Sequence, residues 1–245
     1  MRAIINSQGG MVFHRLPEGV QNITASRYSL EQLEEIMQHT ACILLLEGGA
    51  DIQPSIYGEV NTYSHCHPDR DIQETALYHL ARKNNVPILG LCRGHQLMAA
   101  LAGGKLYQDI AREVGRGHHP THSILFPVVA TLTGFTALME SCPLGKPDVV
   151  NSYHHQAVKV LPPNAIELAV SASDGVNEAI LYPWGLSVQW HPEFLDHTEF
   201  VTWMFDNFKV NNDHTADNNG RGARVSSIGD RSDDCLRKVV TLPSA

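Results

Sequence analysis

The feature that most constrains this chain is a cysteine between two glycines, in the Gly-Leu-Cys-Arg-Gly stretch at residues 90–94. It follows an apolar run at residues 86–91 and precedes a helical pattern at residues 93–102. A nucleophile between glycines at a strand-to-helix junction is typical of a nucleophile elbow, in which glycine permits the sharp turn. The helix N-terminus would then stabilise the thiolate of Cys92. The alternative is a small core residue, because free cysteine is among the most buried residue types.

A second motif, His191-Pro192-Glu193, follows the strand-like segment at residues 185–190. A cysteine nucleophile needs a base that takes its proton and returns it to a leaving group. That base needs a partner that fixes its tautomer, and the spacing lets the carboxylate of Glu193 fold back onto the ring of His191. The alternative is a surface histidine beside a surface glutamate. Together with Cys92, the motif predicts a catalytic triad.

Further motifs accompany these two in a fixed order along the chain. They lie at residues 47–54, 57–59, 70–74, 90–96, 103–110, 150–158, 174–178 and 191–193. This ordered set resembles the class I glutamine amidotransferase-like superfamily. The Leu-Tyr-Gln-Asp-Ile segment at 106–110 and the His-His-Gln-Ala-Val segment at 154–158 resemble its γ-glutamyl hydrolase branch, of the peptidase C26 type that cleaves γ-glutamyl-γ-aminobutyrate.

The resemblance implies roles for individual residues. Cys92 matches the nucleophile, His191 the base and Glu193 the residue that orients it. The backbone N–H groups of Gly49 and Arg93 match the oxyanion hole, and oriented amides stabilise such a developing charge. The candidate substrate-binding residues, which would hold the two ends of a glutamyl group, are Gly48, Gln96, His154, His155 and Gln156.

Some of these roles have alternatives. The Gly48-Gly49 pair could form an ordinary turn at a strand end, and Tyr153 and Gln156 could be packing residues. Glu47 stands where the family usually has proline. Its carboxylate could bind a substrate ammonium group or pair with a nearby cation.

The implied activity is hydrolysis of a small γ-glutamyl amide through a thioester, with release of glutamate and an amine. A second interpretation is a glutaminase subunit that passes ammonia to a separate synthetase, and a third is a non-catalytic binding module on the same fold. No cofactor or metal is expected, because the thiolate itself is the nucleophile. The histidines at 65, 67, 118, 119 and 122 are an alternative metal cluster, but the His-Cys-His spacing at 65–67 is too tight for common ligand sets.

The pattern of elements predicts an α/β fold, with a mostly parallel central sheet flanked by helices. Strands are expected at residues 42–46 and 86–91, and helices from a capping box at Ser29 and from Asp71, with Ile72, Ala76 and Leu80 on one apolar face. This arrangement is flavodoxin-like, as in class I glutamine amidotransferases. Strand-like segments at 122–130, 166–171, 178–182 and 186–190 indicate antiparallel additions, before a last helix at 196–208. We expect one domain at residues 1–210 and a disordered tail at 211–245.

Composition limits the partners and the compartment. The 245 residues are 43% apolar, which suits one compact domain, and the net charge of −8 comes without a basic cluster, so nucleic acid is not an expected partner. No apolar run is long enough to span a membrane. The start of the chain is typical of a strand rather than a signal peptide, and the five scattered cysteines suit a cytoplasmic location. Of these, Cys42 and Cys142 are predicted to be packing residues.

Overall fold

The computed structural model describes residues 2–9, 16–115, 121–125, 149–195 and 199–208. In these ranges the strands are β1 (Arg2–Asn6), β2 (Val20–Thr24), β3 (Ala41–Leu46), β4 (Ile88–Leu91), β5 (Lys105–Tyr107), β6 (Thr121–Leu125), β7 (Val149–Asn151), β8 (Ala157–Val160), β9 (Ile166–Ser171), β10 (Asn177–Tyr182) and β11 (Gly185–Val188). The α-helices are α1 (Leu30–His39), α2 (Pro68–Lys83), α3 (Arg93–Leu101), α4 (Ile110–Glu113) and α5 (Glu199–Asn207).

Nine of these strands form one mixed sheet in the order β2-β1-β3-β4-β11-β10-β9-β6-β7, while β5 and β8 form a separate antiparallel pair. In this sheet order, each strand from β2 through β11 pairs in parallel with the next one. Each pair of neighbours from β11 to β7 is antiparallel. The predicted fold class is therefore confirmed. The segment at 186–190, interpreted as an antiparallel addition, forms the junction, because β11 is antiparallel to β10 but parallel to β4.

Apolar residues on both faces of the sheet are buried by helices. One face packs against α5, whose Val201, Met204 and Phe205 are buried together with Phe208 directly after the helix. The other face packs against α1, α2 and α3. All six residues of β3 are buried, as expected for a strand between two helical layers. The predicted cap of α5 at Asp196 and the tail at 211–245 lie outside the described residues.

The start of α1 is the predicted capping box. The Oγ of Ser29 accepts a hydrogen bond from the backbone of Gln32, and the Gln32 side chain accepts one from the backbone of Ser29. Together the two bonds satisfy backbone donors that a helix N-terminus leaves unpaired.

The predicted apolar face of α2 is wrong at one end and right at the other. Ile72 is exposed, whereas Leu80 packs against the core, and Asp71 and Glu74 are buried. The apolar periodicity misleads here because the two carboxylates turn inward to meet the buried guanidinium of Arg93.

Three neighbouring parallel strands end at one edge of the sheet. The chain continues from β3 into Gly48, from β4 into Cys92, and from β11 towards His191. Ligands of open α/β sheets bind at this carboxyl edge, so the topology brings the two sequence motifs together. Within the described ranges, no helix is long and apolar enough to cross a lipid bilayer.

Candidate active site

Cys92 occupies a strained turn between β4 and α3. Its φ of 49° and ψ of −101° are unusual for a residue with a side chain, and it forms the N-cap of α3. A Cβ on Gly94 would lie 2.1 Å from the carbonyl oxygen of Leu46, and one on Gly90 would lie 2.5 Å from the sulfur of Met98. Both glycines are therefore required by close packing, and the geometry is that of the predicted elbow.

His191 lies between the thiol of Cys92 and the carboxylate of Glu193. Its Nδ1 is 2.6 Å from Oε1 of Glu193, and the side chain of Cys92 lies close enough to the ring to raise its pKa. Burial lowers the pKa of His191, but the interactions with Cys92 and Glu193 outweigh that effect and raise this pKa to about 10. The raised pKa favours the charged imidazolium of His191, the acid form that can protonate a leaving amine.

A buried asparagine holds the backbone of His191 in place. The Asn151 side chain accepts a hydrogen bond from the His191 amide at 2.8 Å and donates one to its carbonyl oxygen at 2.9 Å. Asn151 lies within the motif at residues 150–158, which predicted no role for it. Its partner His191 lies 40 residues away in the chain, so no local pattern reveals this contact.

The Gly48-Gly49 turn packs against the ring of His191 on one side and against arginine side chains on the other. A Cβ on Gly48 would lie 2.6 Å from Cε1 of His191, so the ring packs directly against the bare backbone. A Cβ on Gly49 would meet the guanidinium of Arg70 at 2.0 Å. Position 48 requires glycine because the ring of His191 packs against its backbone. Gly48 was predicted to bind substrate, and this contact with the base was not predicted.

A buried ionic network joins this turn to the elbow. The guanidinium of Arg93 is paired with Asp71 and Glu74, and all three side chains are at most 3% exposed. Arg70 is 3.1 Å from Glu74 and donates a hydrogen bond to the carbonyl oxygen of Gly48 at 2.8 Å. The Oγ of Ser7 donates to Glu74 at 2.8 Å. The network therefore fixes the two backbone segments that carry Gly49 and Arg93.

The two candidate glutamines bond mainly to protein backbone. The Gln156 carboxamide accepts from the amide of Ile52 at 2.9 Å and donates to the Oγ of Ser64 at 2.6 Å, which favours the packing alternative for this residue. Gln96 donates to the carbonyl oxygen of Gln156 at 2.9 Å and to the side chain of Gln189 at 3.1 Å. These bonds tie α3 to the loop after the glycine turn.

The two candidate histidines have different environments. His154 is buried, with Nδ1 2.9 Å from the carbonyl oxygen of Gln156 and Nε2 3.2 Å from the Oγ of Ser152. The His155 ring is 45% exposed and pairs with Asp51 at 3.0 Å. This hydrogen bond raises the pKa of His155, which favours a cation that can meet an anionic ligand.

His65 and His67, two histidines of the alternative metal cluster, are both exposed in the loop that follows the glycine turn. Among the described residues, no cluster of histidine, cysteine and carboxylate side chains has the arrangement of a metal site. His122 lies within β6, and His118 and His119 lie outside the described residues.

Comparisons with known proteins agree with this architecture. The family model for peptidase C26 matches residues 18–193. The Lactococcus lactis protein YvdE, whose name likens it to glutamine amidotransferases, is 35% identical over 185 residues, which cover 69% of this chain and 74% of that protein. The γ-glutamyl-γ-aminobutyrate hydrolase PuuD of Escherichia coli K12 is 28% identical, covering 66% and 67% of the two chains.

A solved glutamine amidotransferase from Thermotoga maritima shares the fold. Its TM-score is 0.54 at 17% sequence identity, and the match covers 84% of this chain and 83% of that one. The family model and the Lactococcus relative together span most of the described residues. The chain belongs to the peptidase C26 family, whose members include hydrolases and glutamine amidotransferase-like proteins.

Proposed function

We propose that this protein is a cysteine-dependent hydrolase that cleaves the γ-glutamyl amide bond of a small γ-glutamyl compound. The observation that carries the proposal is that Cys92, at a strained elbow, lies beside the ring of His191, whose Nδ1 bonds to Glu193. A thiolate, an acid–base group and an orienting carboxylate are the parts that acyl transfer through a thioester requires.

In this mechanism the thiolate of Cys92 attacks the γ-carbonyl carbon, and the oxyanion accepts hydrogen bonds from the amides of Gly49 and Arg93. Since Nδ1 of His191 faces Glu193, its other nitrogen, Nε2, donates the proton to the leaving amine. The carbon–nitrogen bond then breaks and leaves a thioester. His191 next takes a proton from water, which attacks the thioester, releases glutamate and restores Cys92.

The substrate class rests on the relatives and on the histidine near the site. PuuD is named for hydrolysis of a γ-glutamyl amine, and this chain carries the segments that resemble that branch. The partly exposed imidazole of His155, held by Asp51, supplies a polar group for one end of a glutamyl substrate.

We expect the purified chain, without a partner or a nucleotide, to cleave at least one γ-glutamyl amine faster than it cleaves glutamine. A hydrolase with a complete triad needs no second subunit to assemble its site. The measurement is glutamate and amine release across a panel of γ-glutamyl amides, with glutamine as the reference and a Cys92→Ala preparation as the blank.

The second candidate function is a glutaminase that supplies ammonia to a separate synthetase. The likeness of YvdE to glutamine amidotransferases favours it. The same three residues would perform the same chemistry, and only the fate of the amine would differ. Cleavage of glutamine alone, and only after a second protein from the same cell is added, would replace the first proposal with this one.

Glu193→Gln should retain more activity than His191→Ala. Glutamine can still accept a hydrogen bond from Nδ1, whereas alanine removes the acid–base group, so we expect the loss of kcat to be about 10- to 100-fold smaller for Glu193→Gln. Glu35→Gln, on the exposed side of α1, is the matched control. Equal losses in the two site variants would show that Glu193 does more than orient the ring.

Glu193→Gln should also shift the alkaline limb of the plot of kcat/KM against pH. In the wild type, His191 loses its proton as the pH rises through about 10, and kcat/KM should fall there because the leaving amine is no longer protonated. Glu193 contributes to the raised pKa of His191, so Glu193→Gln should shift this limb to lower pH. A limb that stays in place would show that Glu193 does not set the titration.

A further inference from the structure

Two exposed aromatic side chains, Tyr153 and Phe194, lie against His191 and are together called the aromatic rim. The Phe194 ring stacks on the imidazole with centroids 5.2 Å apart and planes at 23°. The Tyr153 ring centroid is 6.0 Å from His191 and 6.2 Å from Phe194, which it meets edge-on. Phe194 is 62% exposed and Tyr153 is 59% exposed, so most of the rim surface faces solvent.

The rim is held by the same segments that hold His191. Phe194 lies in the short 3₁₀ turn Pro192–Leu195, directly after Glu193, and its amide donates a hydrogen bond to the carbonyl oxygen of His191 at 3.3 Å. Tyr153 lies two residues after Asn151, whose side chain bonds to the backbone of His191. The two rings therefore keep a fixed position relative to the imidazole.

The leaving amine must lie beside this surface, an argument that rests on the proposed function. To receive a proton, the amine nitrogen has to come within hydrogen-bond distance of His191. Any substituent on that nitrogen begins beside the imidazole, on which the Phe194 ring stacks and near which Tyr153 lies. The rim is thus an exposed apolar surface within reach of the amine half of the substrate.

Chemistry distinguishes the classes of amine. Exposed aromatic rings bind apolar and aromatic groups through burial and edge-to-face contacts, and they offer nothing to free ammonia. They can also attract cations, but His191 lies on the Phe194 ring and is itself held in the charged form, so a second positive charge would be repelled. We propose that the aromatic rim binds the leaving group and selects γ-glutamyl amides whose amine carries a neutral aromatic substituent.

The test compares γ-glutamylbenzylamide with γ-glutamylmethylamide, which differ only in the aromatic group. The wild type should favour the benzylamide in kcat/KM by roughly tenfold or more, and Phe194→Ala should reduce that ratio by roughly tenfold, the scale of aromatic contacts plus burial of a ring. Because both substrates depend equally on His191, a disturbance of the imidazole changes both rates and leaves the ratio unchanged.

The variants at Tyr153 and a remote control complete the design. Tyr153→Ala should lower the ratio, and Tyr153→Phe, which keeps the ring, should restore most of it. Tyr28 is an exposed aromatic residue that follows β2, three strands from β4, so Tyr28→Ala should leave the ratio unchanged.

Three outcomes would overturn the inference. If the wild type and Phe194→Ala cleave both substrates with the same ratio of kcat/KM for the benzylamide to that for the methylamide, the role of the aromatic rim is refuted. The proposed function would still hold. A preference for the γ-glutamyl amide of a diamine that Phe194→Ala abolishes would assign the rim to cations instead. A folded chain that forms no thioester and cleaves no amide would overturn both proposals.

Discussion

Cys92→Ala should reduce turnover of a γ-glutamyl amide by roughly five to six orders of magnitude, the loss seen when a triad nucleophile is removed. Alanine keeps the backbone turn and deletes only the sulfur, so the fold should persist. Retention of the thermal midpoint, measured beside the activity, separates loss of the nucleophile from loss of the structure.

The other described cysteines give this prediction its control. Burial raises the pKa of Cys42 to about 12 and that of Cys66 to about 11, so both remain thiols at neutral pH and are weak nucleophiles. An electrophilic glutamine analogue should therefore form one adduct, at Cys92, detectable by mass spectrometry, and Cys66→Ala should leave both the adduct and the activity intact. Labelling elsewhere, with activity surviving in Cys92→Ala, would refute the assignment of the nucleophile.

Local patterns predicted the parts of the fold that depend on neighbouring residues. The capping box at Ser29, the buried run of β3 and the turn at Cys92 each follow from a few adjacent side chains, and each is present in the structure. The proximity of Cys92 and His191 was expected from their motifs and the family resemblance rather than from topology, because the segment before His191 was interpreted as an antiparallel addition. In the structure β11 runs parallel to β4, so both strands end at the same edge.

What the sequence could not predict depends on contacts between distant segments. The inner face of α2 was assigned from apolar spacing, and nothing within that helix reveals that Asp71 and Glu74 pair with Arg93. Gln156 was interpreted as a substrate ligand, although its carboxamide bonds to Ile52 and Ser64 far away in the chain. Long-range polar contacts have no period in sequence, so only the structure shows them.

Loss of Glu74 should strongly destabilise the fold while it leaves the triad residues in place. Its side chain is fully buried and accepts hydrogen bonds from Ser7 and Arg70, while it also pairs with Arg93. Glu74→Ala leaves the buried guanidinium of Arg93 with less compensation, and removing one partner of a buried ion pair costs about 3–5 kcal/mol of unfolding free energy. Denaturant unfolding followed by circular dichroism measures this loss.

A surface ion pair between Lys83, on the same helix as Glu74, and Glu34 of α1 serves as the control. Lys83 pairs with Glu34 at 2.7 Å, but its side chain is 69% exposed, so Lys83→Ala should change the unfolding free energy by at most about 1 kcal/mol. An equal effect of the two variants would show that the buried network contributes no more than the surface pair.

The double variant of Glu74 and Arg93 separates the cost of an unpaired charge from the value of the pair itself. Arg93→Met removes the buried guanidinium but leaves the backbone amide that the proposed oxyanion hole uses. If the large loss in Glu74→Ala comes from stranding that charge, adding Arg93→Met should destabilise the chain by less than the sum of the two single changes. Additive losses would mean that the two side chains act independently. If the losses are not additive, activity should fall in Glu74→Ala and in Arg93→Met even at temperatures where these variants are folded. The reason is that the same network holds the turn at Gly48 against the elbow at Cys92.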